Sequence, residues 1–391
     1  MNRMKLGEIL SVKHGWAFKG EYFAEDGEQS ILTPGNFFEK GGFKPNNGKE
    51  RYYTGTYPKE YLCHKGDLIV AMTQQAEGLL GSTALVPENN KYLHNQRIGL
   101  ITCDEKRLNK LFAYYLFMTK SVREQLERSS SGTKVKHTSP EKIYDVEVEI
   151  PDVISQQKIA NLLWSIDEKI ANNNAINDNL EQQAKLLYNY WFIQFNFPDE
   201  NGNPYHSSGG QLVWNKNLQQ EIPQDWRSGN LYDIADYING IACQKYRPSD
   251  EEHSLPVVKI REMNGGITND TERVSSTIPA KNIISSGDIL FSWSASLEVI
   301  MWYGVDAGLN QHIFKVVPKS YFSSEYVYLQ LSEYLIHFIK IAEARKTTMG
   351  HITSEHLQDS HIILPPANII KNFFNIIILL FGYKVYNIDI I

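Results

Sequence analysis

The sequence predicts an α+β chain: two globular domains and two long helical rods, related by an internal pseudo-twofold repeat. Three observations carry that expectation. The same short motifs occur twice in the same order. Strand signals and helix signals mix within each copy without strict alternation. Between the copies, apolar residues recur at steps of three and four over many turns.

The repeat sets the domain count, so it comes first. Leu6, Ile9 and Gly15 fall on Leu231, Ile234 and Gly240, an offset of 225. Lys65-Gly66-Asp67-Leu68-Ile69 falls on Ser286-Gly287-Asp288-Ile289-Leu290, and Asn95-Gln96 falls on Asn310-Gln311. Thr133-Lys134-Val135-Lys136-His137 falls on Thr347-Thr348-Met349-Gly350-His351, and Ile150-Pro151 falls on Leu364-Pro365. The offset shrinks steadily from 225 to 214, as in two copies of one plan with small deletions.

Within each copy, Gly66-Asp67 and Gly287-Asp288 are turns feeding the strands that start at Leu68 and Ile289. Residues 108–126 and 324–341 have the aromatic-rich 3–4 spacing of amphipathic helices. From Ile159 through Leu162, Ile166, Ile170, Ile176, Leu180, Ala184 and Leu187 to Trp191 the apolar seam is narrow. Such a rod cannot bury its seam alone and needs a second helix. Asn172-Asn173-Asn174 interrupts the seam, either as a register-setting buried Asn173 or as a solvated break. The rod stops at Phe197-Pro198, residues 198–224 read as a polar, loop-like linker, and the second copy opens at Pro223-Gln224-Asp225-Trp226. The second rod, from Pro365 onward, is shorter and contains Gly382, which costs a helix interior about 1 kcal/mol relative to alanine. It is expected to be a truncated or altered version of the first.

Composition narrows the function classes. The chain has 391 residues, 42% apolar and 21% charged, as in folded soluble proteins. Cys63, Cys103 and Cys243 are too far apart for a thiol–disulfide motif or a zinc knuckle and are expected to be reduced thiols. No signal peptide is expected, and no apolar run approaches the ~20 residues of a membrane span, so a cytoplasmic location is expected. The net charge is −6. Residues 1–150 hold 21 Lys and Arg against 19 Asp and Glu, a net +2. No segment has the basic excess of a nonspecific nucleic-acid binder, so any DNA contact comes from local patches, or a partner supplies much of the phosphate contact.

The central stretch Leu187-Tyr188-Asn189-Tyr190-Trp191-Phe192-Ile193-Gln194-Phe195-Asn196-Phe197-Pro198 precedes Ser207-Ser208-Gly209-Gly210, Val213-Trp214-Asn215 and Ile222-Pro223-Gln224-Asp225-Trp226. It resembles the central region of the specificity subunits of type I restriction–modification enzymes. The Leu6-Gly7-Glu8-Ile9 opening and the Ile150-Pro151 to Gln156-Gln157-Lys158-Ile159 junction resemble other recurring features of that family. The resemblance runs along essentially the whole chain. It implies target-recognition domains over 1–150 and 225–364, a spacer helix over 151–197, a linker over 198–224 and a second spacer helix over 365–391. Each domain would read one half of an asymmetric, two-part double-stranded DNA site. The spacer helices would pack as an antiparallel coiled coil and dock two modification subunits that methylate adenine. Restriction subunits, which are translocase–nucleases, would complete the complex. S-adenosylmethionine, ATP and Mg would belong to those partners, with no cofactor, metal or catalytic group in this chain.

A search for chemistry agrees. The only Pro-Pro, Pro365-Pro366, lacks the neighbours of a methyltransferase loop, and no phosphate-binding glycine loop occurs. No histidines have metal-ligand spacing. Glu88, Asp104 and Lys106 are the nearest approach to a metal-dependent nuclease, and the second copy lacks that triplet. Two alternatives stay open: a stand-alone nuclease on those three residues, or a scaffold that binds protein rather than DNA.

Base readout uses Arg or Lys toward guanine and Asn or Gln toward adenine. The DNA-binding candidates in loops of the first domain are Lys19, Arg51, Tyr52, Gln74, Gln75, Gln96, Arg97, Thr133, Lys134, Lys136 and His137. In the second they are Lys259, Arg261, Asn264, Trp293, Gln311, His312, Arg345, Lys346, Thr347 and Thr348. Asn95-Gln96 and Asn310-Gln311 could equally be buried structural amides bonding loop backbone.

Overall fold

The structure, a computed structural model, describes residues 2–46, 48–74, 78–132, 135–249, 253–294, 296–344 and 352–389. The chain divides into two units, Met1–Lys169 and Ile170–Ile391.

In the first unit, strands β1 (Asn2–Lys5), β2 (Leu10–His14), β3 (Phe23–Ala24), β4 (Ser30–Ile31) and β5 (Tyr52–Tyr53) precede β6 (Leu68–Ala71) and β7 (Thr83–Leu85). Then come β8 (Tyr92–Leu93), β9 (Ile98–Cys103), α1 (Lys110–Leu116), α2 (Lys120–Ser129), α3 (Pro140–Tyr144) and β10 (Glu147–Ile150). The main sheet has the order β2-β9-β6-β7 and is antiparallel throughout. A second sheet has the order β3-β5-β4-β8, with β4 and β8 parallel. β6 shows why the layers stack. All four of its residues are buried, and alternate side chains enter different cores. Leu68 and Val70 join Leu6, Phe117 and Leu126 under the helices, whereas Ile69 and Ala71 join Leu32, Phe37 and Ile98 in a second core. The helical stretch expected over 108–126 is two helices: Asn109 caps α1 through Phe112 N, and a turn at residues 117–119 separates it from α2.

The second unit begins within α4 (Val153–Tyr188). After β11 (Leu212–Asn215), β12 (Gln220–Pro223), β13 (Arg227–Gly229) and α5 (Leu231–Ile234) come β14 (Ala235–Asn239), β15 (Ser254–Val258), α6 (Ile260–Gly265) and β16 (Arg273–Ser275). Then follow β17 (Ile283–Ile284), β18 (Ile289–Ser292), β19 (Glu298–Met301), β20 (Ala307–Leu309), β21 (Ile313–Pro318), α7 (Ser324–Ala344), α8 (Ser354–Gln358), β22 (Ile362–Leu364) and α9 (Ala367–Asp389). The main sheet, β14-β21-β18-β19, repeats the strand order of the first unit, and β15 and β20 supply the matching parallel pair. Residues 212–223, expected to be loop-like, form the β11–β12 hairpin instead. The repeat is therefore structural. It extends to the closing strands, where Asn2 pairs with Ile150 and Arg227 with Leu364.

α4 is one 36-residue helix, about 54 Å at 1.5 Å per residue. It passes through Asn172-Asn173-Asn174 without a break, Asn173 half-buried and Asn177 buried. Its apolar seam is only partly covered. Ala184 and Trp191 are buried as expected, Leu187 is half-buried with Tyr188 buried beside it, but Leu162 is 63% exposed, and Ile159, Ile166 and Ile176 are also exposed. Toward its start the covered face carries Gln156 and Ala160 instead. Gln156 is fully buried and fully used: its Oε1 accepts from Asn109 N (2.9 Å) and its Nε2 donates to Arg107 O (3.0 Å) and Pro151 O (2.9 Å). A purely apolar criterion overlooks such a contact.

At its other end α4 runs into a π-helical turn, Asn189–Ile193, and Phe195 takes a left-handed φ of 59°. These irregularities turn Trp191, Phe192, Phe195 and Phe197 onto the core that holds Trp226 and Phe373. Phe373 packs on Phe192 (4.8 Å between ring centres) and Trp191 (5.5 Å). Further along α9, Phe381 meets Tyr328, whose hydroxyl donates to Glu181 Oε1 at 2.7 Å. α9 thus runs antiparallel to the last turns of α4. It continues through Gly382, where added side-chain bulk would meet open space. Cys63, Cys103 and Cys243 are unpaired, and burial pushes the Cys63 thiol up to about 12.

Candidate nucleic-acid interface

Each unit builds the same corner at one end of its main sheet. In the first, β2 ends at His14 and Gly15 presses onto the 94–97 loop; a Cβ on Gly15 would lie 2.0 Å from Asn95 O. In the second, a Cβ on Gly240 would lie 2.1 Å from Asn310 O. Only glycine permits that approach. The approach lets Trp16 bridge Asn95 and Ile241 bridge Asn310, both in parallel fashion. Both asparagines bond loop backbone, Asn95 Oδ1 accepting from Arg97 N (3.0 Å) and Asn310 Oδ1 from His312 N (3.4 Å), whereas Gln96 is exposed rather than a buried amide. The third strand joins through Met72 N to Arg97 O (3.0 Å) and Trp293 N to His312 O (3.3 Å). A segment beyond α2 or α7 closes the corner, with Thr138 N donating to Met72 O and Ile352 N to Trp293 O.

In the first unit this corner gathers Gln74, Gln96, Arg97, Lys136 and His137. Gln74 N donates to Lys136 O (2.9 Å), and Thr73 Oγ1 lies 3.1 Å from His137 Nδ1. Gln96 and Arg97 are exposed, and Arg97 has no ion-pair partner among the described residues. Lys136 is paired with Glu127. Lys19 follows Trp16 by three residues, just before a short 3-10 turn. Arg51 and Tyr52 are not at the corner. Tyr52 lies in β5 rather than in a loop, separated from β8 by β4, with Arg51 just before it. Gln75, Thr133 and Lys134 lie outside the described residues.

In the second unit, Trp293, Gln311 and His312 meet at the corner: the Trp293 and His312 rings are 5.6 Å apart, and Gln311 Nε2 is 3.3 Å from His312 Nε2. Lys259 is adjacent, because Asn310 N donates to Val258 O (3.1 Å). Lys259, Arg261 and Asn264 belong to α6 and its cap, not to a loop. They are engaged locally: Lys259 with Glu272 (2.6 Å), Arg261 with Glu262 (2.7 Å) and Asn264 Nδ2 with Ile260 O (3.1 Å). These ion pairs hold the Glu272 carboxyl down and the Arg261 guanidinium up from their ordinary values. Arg345, Lys346, Thr347 and Thr348 lie outside the described residues.

The corners also contain residues that no composition rule singled out. In the first unit these are Trp16, 40% exposed and 5.4 Å from the Tyr61 ring, and His94. His94 is fully buried, and desolvation lowers it to about 4, so the ring is neutral near pH 7. Its Nε2 then donates to Ile98 O (2.8 Å), while Nδ1 has no partner among the described residues. In the second unit they are Asn239 and Asn282: Trp293 Nε1 donates to Asn239 Oδ1 (3.2 Å) and Asn282 Nδ2 to Asn239 O (2.8 Å). In the repeat Asn239 occupies the place of His14, and Asn282 that of Tyr61.

The proposed nuclease triplet is occupied by local structure. Glu88 Oε1 pairs with Lys91 Nζ (2.6 Å), and Asp104 Oδ1 accepts from Lys106 N (3.2 Å). Among the described residues no cluster of three His, Cys, Asp or Glu side chains could hold a metal ion. No described helix is long and apolar enough to cross a membrane.

A family model described as the type I restriction modification DNA specificity domain matches residues 1–182 and 223–378. The chain is 25% identical over 290 residues to the type I restriction enzyme MjaIX specificity subunit of Methanocaldococcus jannaschii, covering 71% of this chain and 63% of that protein. It thus spans less than two thirds of the length of that relative. It is 21% identical over 378 residues to the type I restriction enzyme EcoBI specificity subunit of Escherichia coli, covering 93% and 75%. Among solved structures, the type I restriction–modification S subunit from M. genitalium shares the fold, with a TM-score of 0.58 and 14% identity over 99% of this chain and 91% of that one.

Proposed function

The chain belongs to the type I restriction–modification DNA specificity family, and from that premise we propose that it is the non-catalytic, sequence-reading subunit of such an enzyme. Each unit reads one half of an asymmetric, two-part site in double-stranded DNA. The observation that carries this reading is the repeated corner: one backbone frame, fixed by Gly15 and Gly240, presents different polar side chains in the two units. A reader with pseudo-twofold repetition suits a site in two halves, and unlike side chains suit unlike halves.

Two modification subunits, binding S-adenosylmethionine and methylating adenine, dock on the helical parts, and translocase–nuclease subunits using ATP and Mg complete the complex in the cytoplasm. The exposed apolar residues of α4, among them Leu162 and Ile166, support a docking role for that helix.

Co-expression with the modification subunit in a host lacking adenine methylation, followed by genome-wide mapping of methylated adenines, tests the reading. An asymmetric two-part motif with a fixed gap is expected, and replacing residues 1–150 should change one half only. Absence of methylation together with absence of salt-sensitive DNA affinity would refute it.

A further inference from the structure

The two corners share a backbone but present opposite hydrogen-bonding chemistry, and on the DNA-reading function proposed above this assigns base preferences. In the first unit, Arg97 sits on a loop pinned from three sides: Gln96 N to Trp16 O, Ile98 N to Asn95 O, and Met72 N to Arg97 O. Lys13 and Lys136 are tied up by Glu60 and Glu127, but Arg97 is exposed and has no ion-pair partner among the described residues. It offers donors only, in a planar fork.

In the second unit the matching position is His312, with the Trp293 ring beside it and Nδ1 shielded without a partner among the described residues. The exposed polar group here is the Asn239 carboxamide. It is oriented unambiguously, because indole N–H can only donate, so the atom facing Trp293 is Oδ1. That leaves one Oδ1 lone pair and both Nδ2 hydrogens without a side-chain partner among the described residues, on an exposed residue. Asn282, 1% exposed, holds the Asn239 backbone from below. A fixed carboxamide with one open acceptor and open donors matches the N6 and N7 edge of adenine; a guanidinium fork matches the O6 and N7 acceptors of guanine.

We propose that Arg97 and Asn239 are specificity-determining residues: Arg97 selects a guanine in one half of the DNA site, and Asn239, positioned by Trp293, selects an adenine in the other. Arg97 sits on a loop pinned by backbone hydrogen bonds and Asn239 ends strand β14, so neither is on a free loop tip, as discrimination by bidentate contact requires. The side chains differ because the backbone frame leaves these positions free to vary.

The test uses the complete methyltransferase, this chain with its modification subunits, and measures methylation rates on a library of DNA sites. For Arg97→Lys and Arg97→Gln, discrimination against bases other than guanine should fall on the order of 10- to 100-fold at one position of one half-site. For Asn239→Ala the same loss should appear for adenine at one position of the other half. Trp293→Phe keeps the ring but removes the N–H, so it should relax the same adenine position and no other. Unchanged motifs in these variants, or a uniform loss over all sequences with a reduced salt slope, would overturn the proposal; the second pattern marks a phosphate contact. A wild-type complex that methylates no two-part motif would overturn the specificity-subunit reading itself, and with it this proposal. That outcome appears before any variant is made, so the two failures are distinguishable.

Discussion

The first unit anchors the start of α4 mainly through hydrogen bonds, with one Trp164–Tyr114 ring contact beside them, whereas the second packs its end mainly with rings, to which the Tyr188 and Tyr328 hydroxyls add bonds to Gln330 and Glu181. Gln156 fixes the start of the helix through three polar contacts, while Tyr188, Trp191 and Phe192 fix its end against Phe373. The repeat places Ile370, buried in the second core, where the first unit has Gln156. What the two units keep in common is set by backbone geometry: the strand order, the glycine contact and the cap on the first turn. What they do not keep is the chemistry that fills the frame. Function in such a molecule resides where the copies disagree.

The largest test of this contrast is Phe373→Ala. Removing a fully buried ring from the aromatic cluster should cost about 3–5 kcal/mol. In urea unfolding followed by scanning calorimetry, only the transition of the second unit should move. An equal shift of both would mean that the units unfold as one.

Acid should separate the units next. His94 is lowered from 6.5 to about 4, so the unfolded chain binds its proton more readily than the folded one. Stability is therefore full above pH ~6.5 and declines as pH falls toward 4, by about 3 kcal/mol for this group. The repeat puts Leu309 at the matching place, so the second unit should lack this contribution. His94→Leu should flatten the pH dependence of the first unit's thermal midpoint between pH 7 and 4.5; an unchanged slope would assign it to another group.

Gly15→Ala and Gly240→Ala probe what is shared. Each forces a methyl group onto a backbone carbonyl, so each should destabilise its own unit by about 1–3 kcal/mol. A cost in one unit and none in the other would show that the corners are less alike than their backbones. The smallest effect belongs to the caps. Glu8 accepts from Lys5 N at 2.9 Å and Asp233 from Asn230 N at 2.8 Å. Alanine at either should cost about 1 kcal/mol, read as a small shift in the midpoint of that unit alone.

Much of this was legible in the sequence because repetition leaves marks that survive side-chain change. Gly15 and Gly240, Asp67 and Asp288, and Asn95 and Asn310 are each dictated by local backbone geometry, so their spacing reports the architecture directly. The apolar seam of α4 was read less well. Period alone cannot say which stretch of a helix is covered, and the buried Gln156 is invisible to a hydrophobic criterion. The candidate site divided along a similar line. Gln96, Arg97, Gln311 and His312 lie at the corners, and the repeated Asn95 and Asn310 mark those loops in the sequence. Asn239 carries no comparable sequence signal, because its side-chain contact is with an indole 54 residues away. Lys259 and Arg261 were misplaced in a loop because a short helix of mixed polarity has no clear periodic signal.

The paired entry and exit strands carry a last consequence. Asn2 lies opposite Ile150, and Arg227 lies opposite Leu364, so each fold leaves almost where it began. Genetic recombination at those two seams would exchange a whole globular fold while disturbing only one pair of neighbouring strands. A crossover inside the cassette would instead split β6 or β18 from its sheet partners and strand two half-cores. On the DNA-reading function proposed above, such an exchange of an intact module would alter one half of the target and leave the other unchanged.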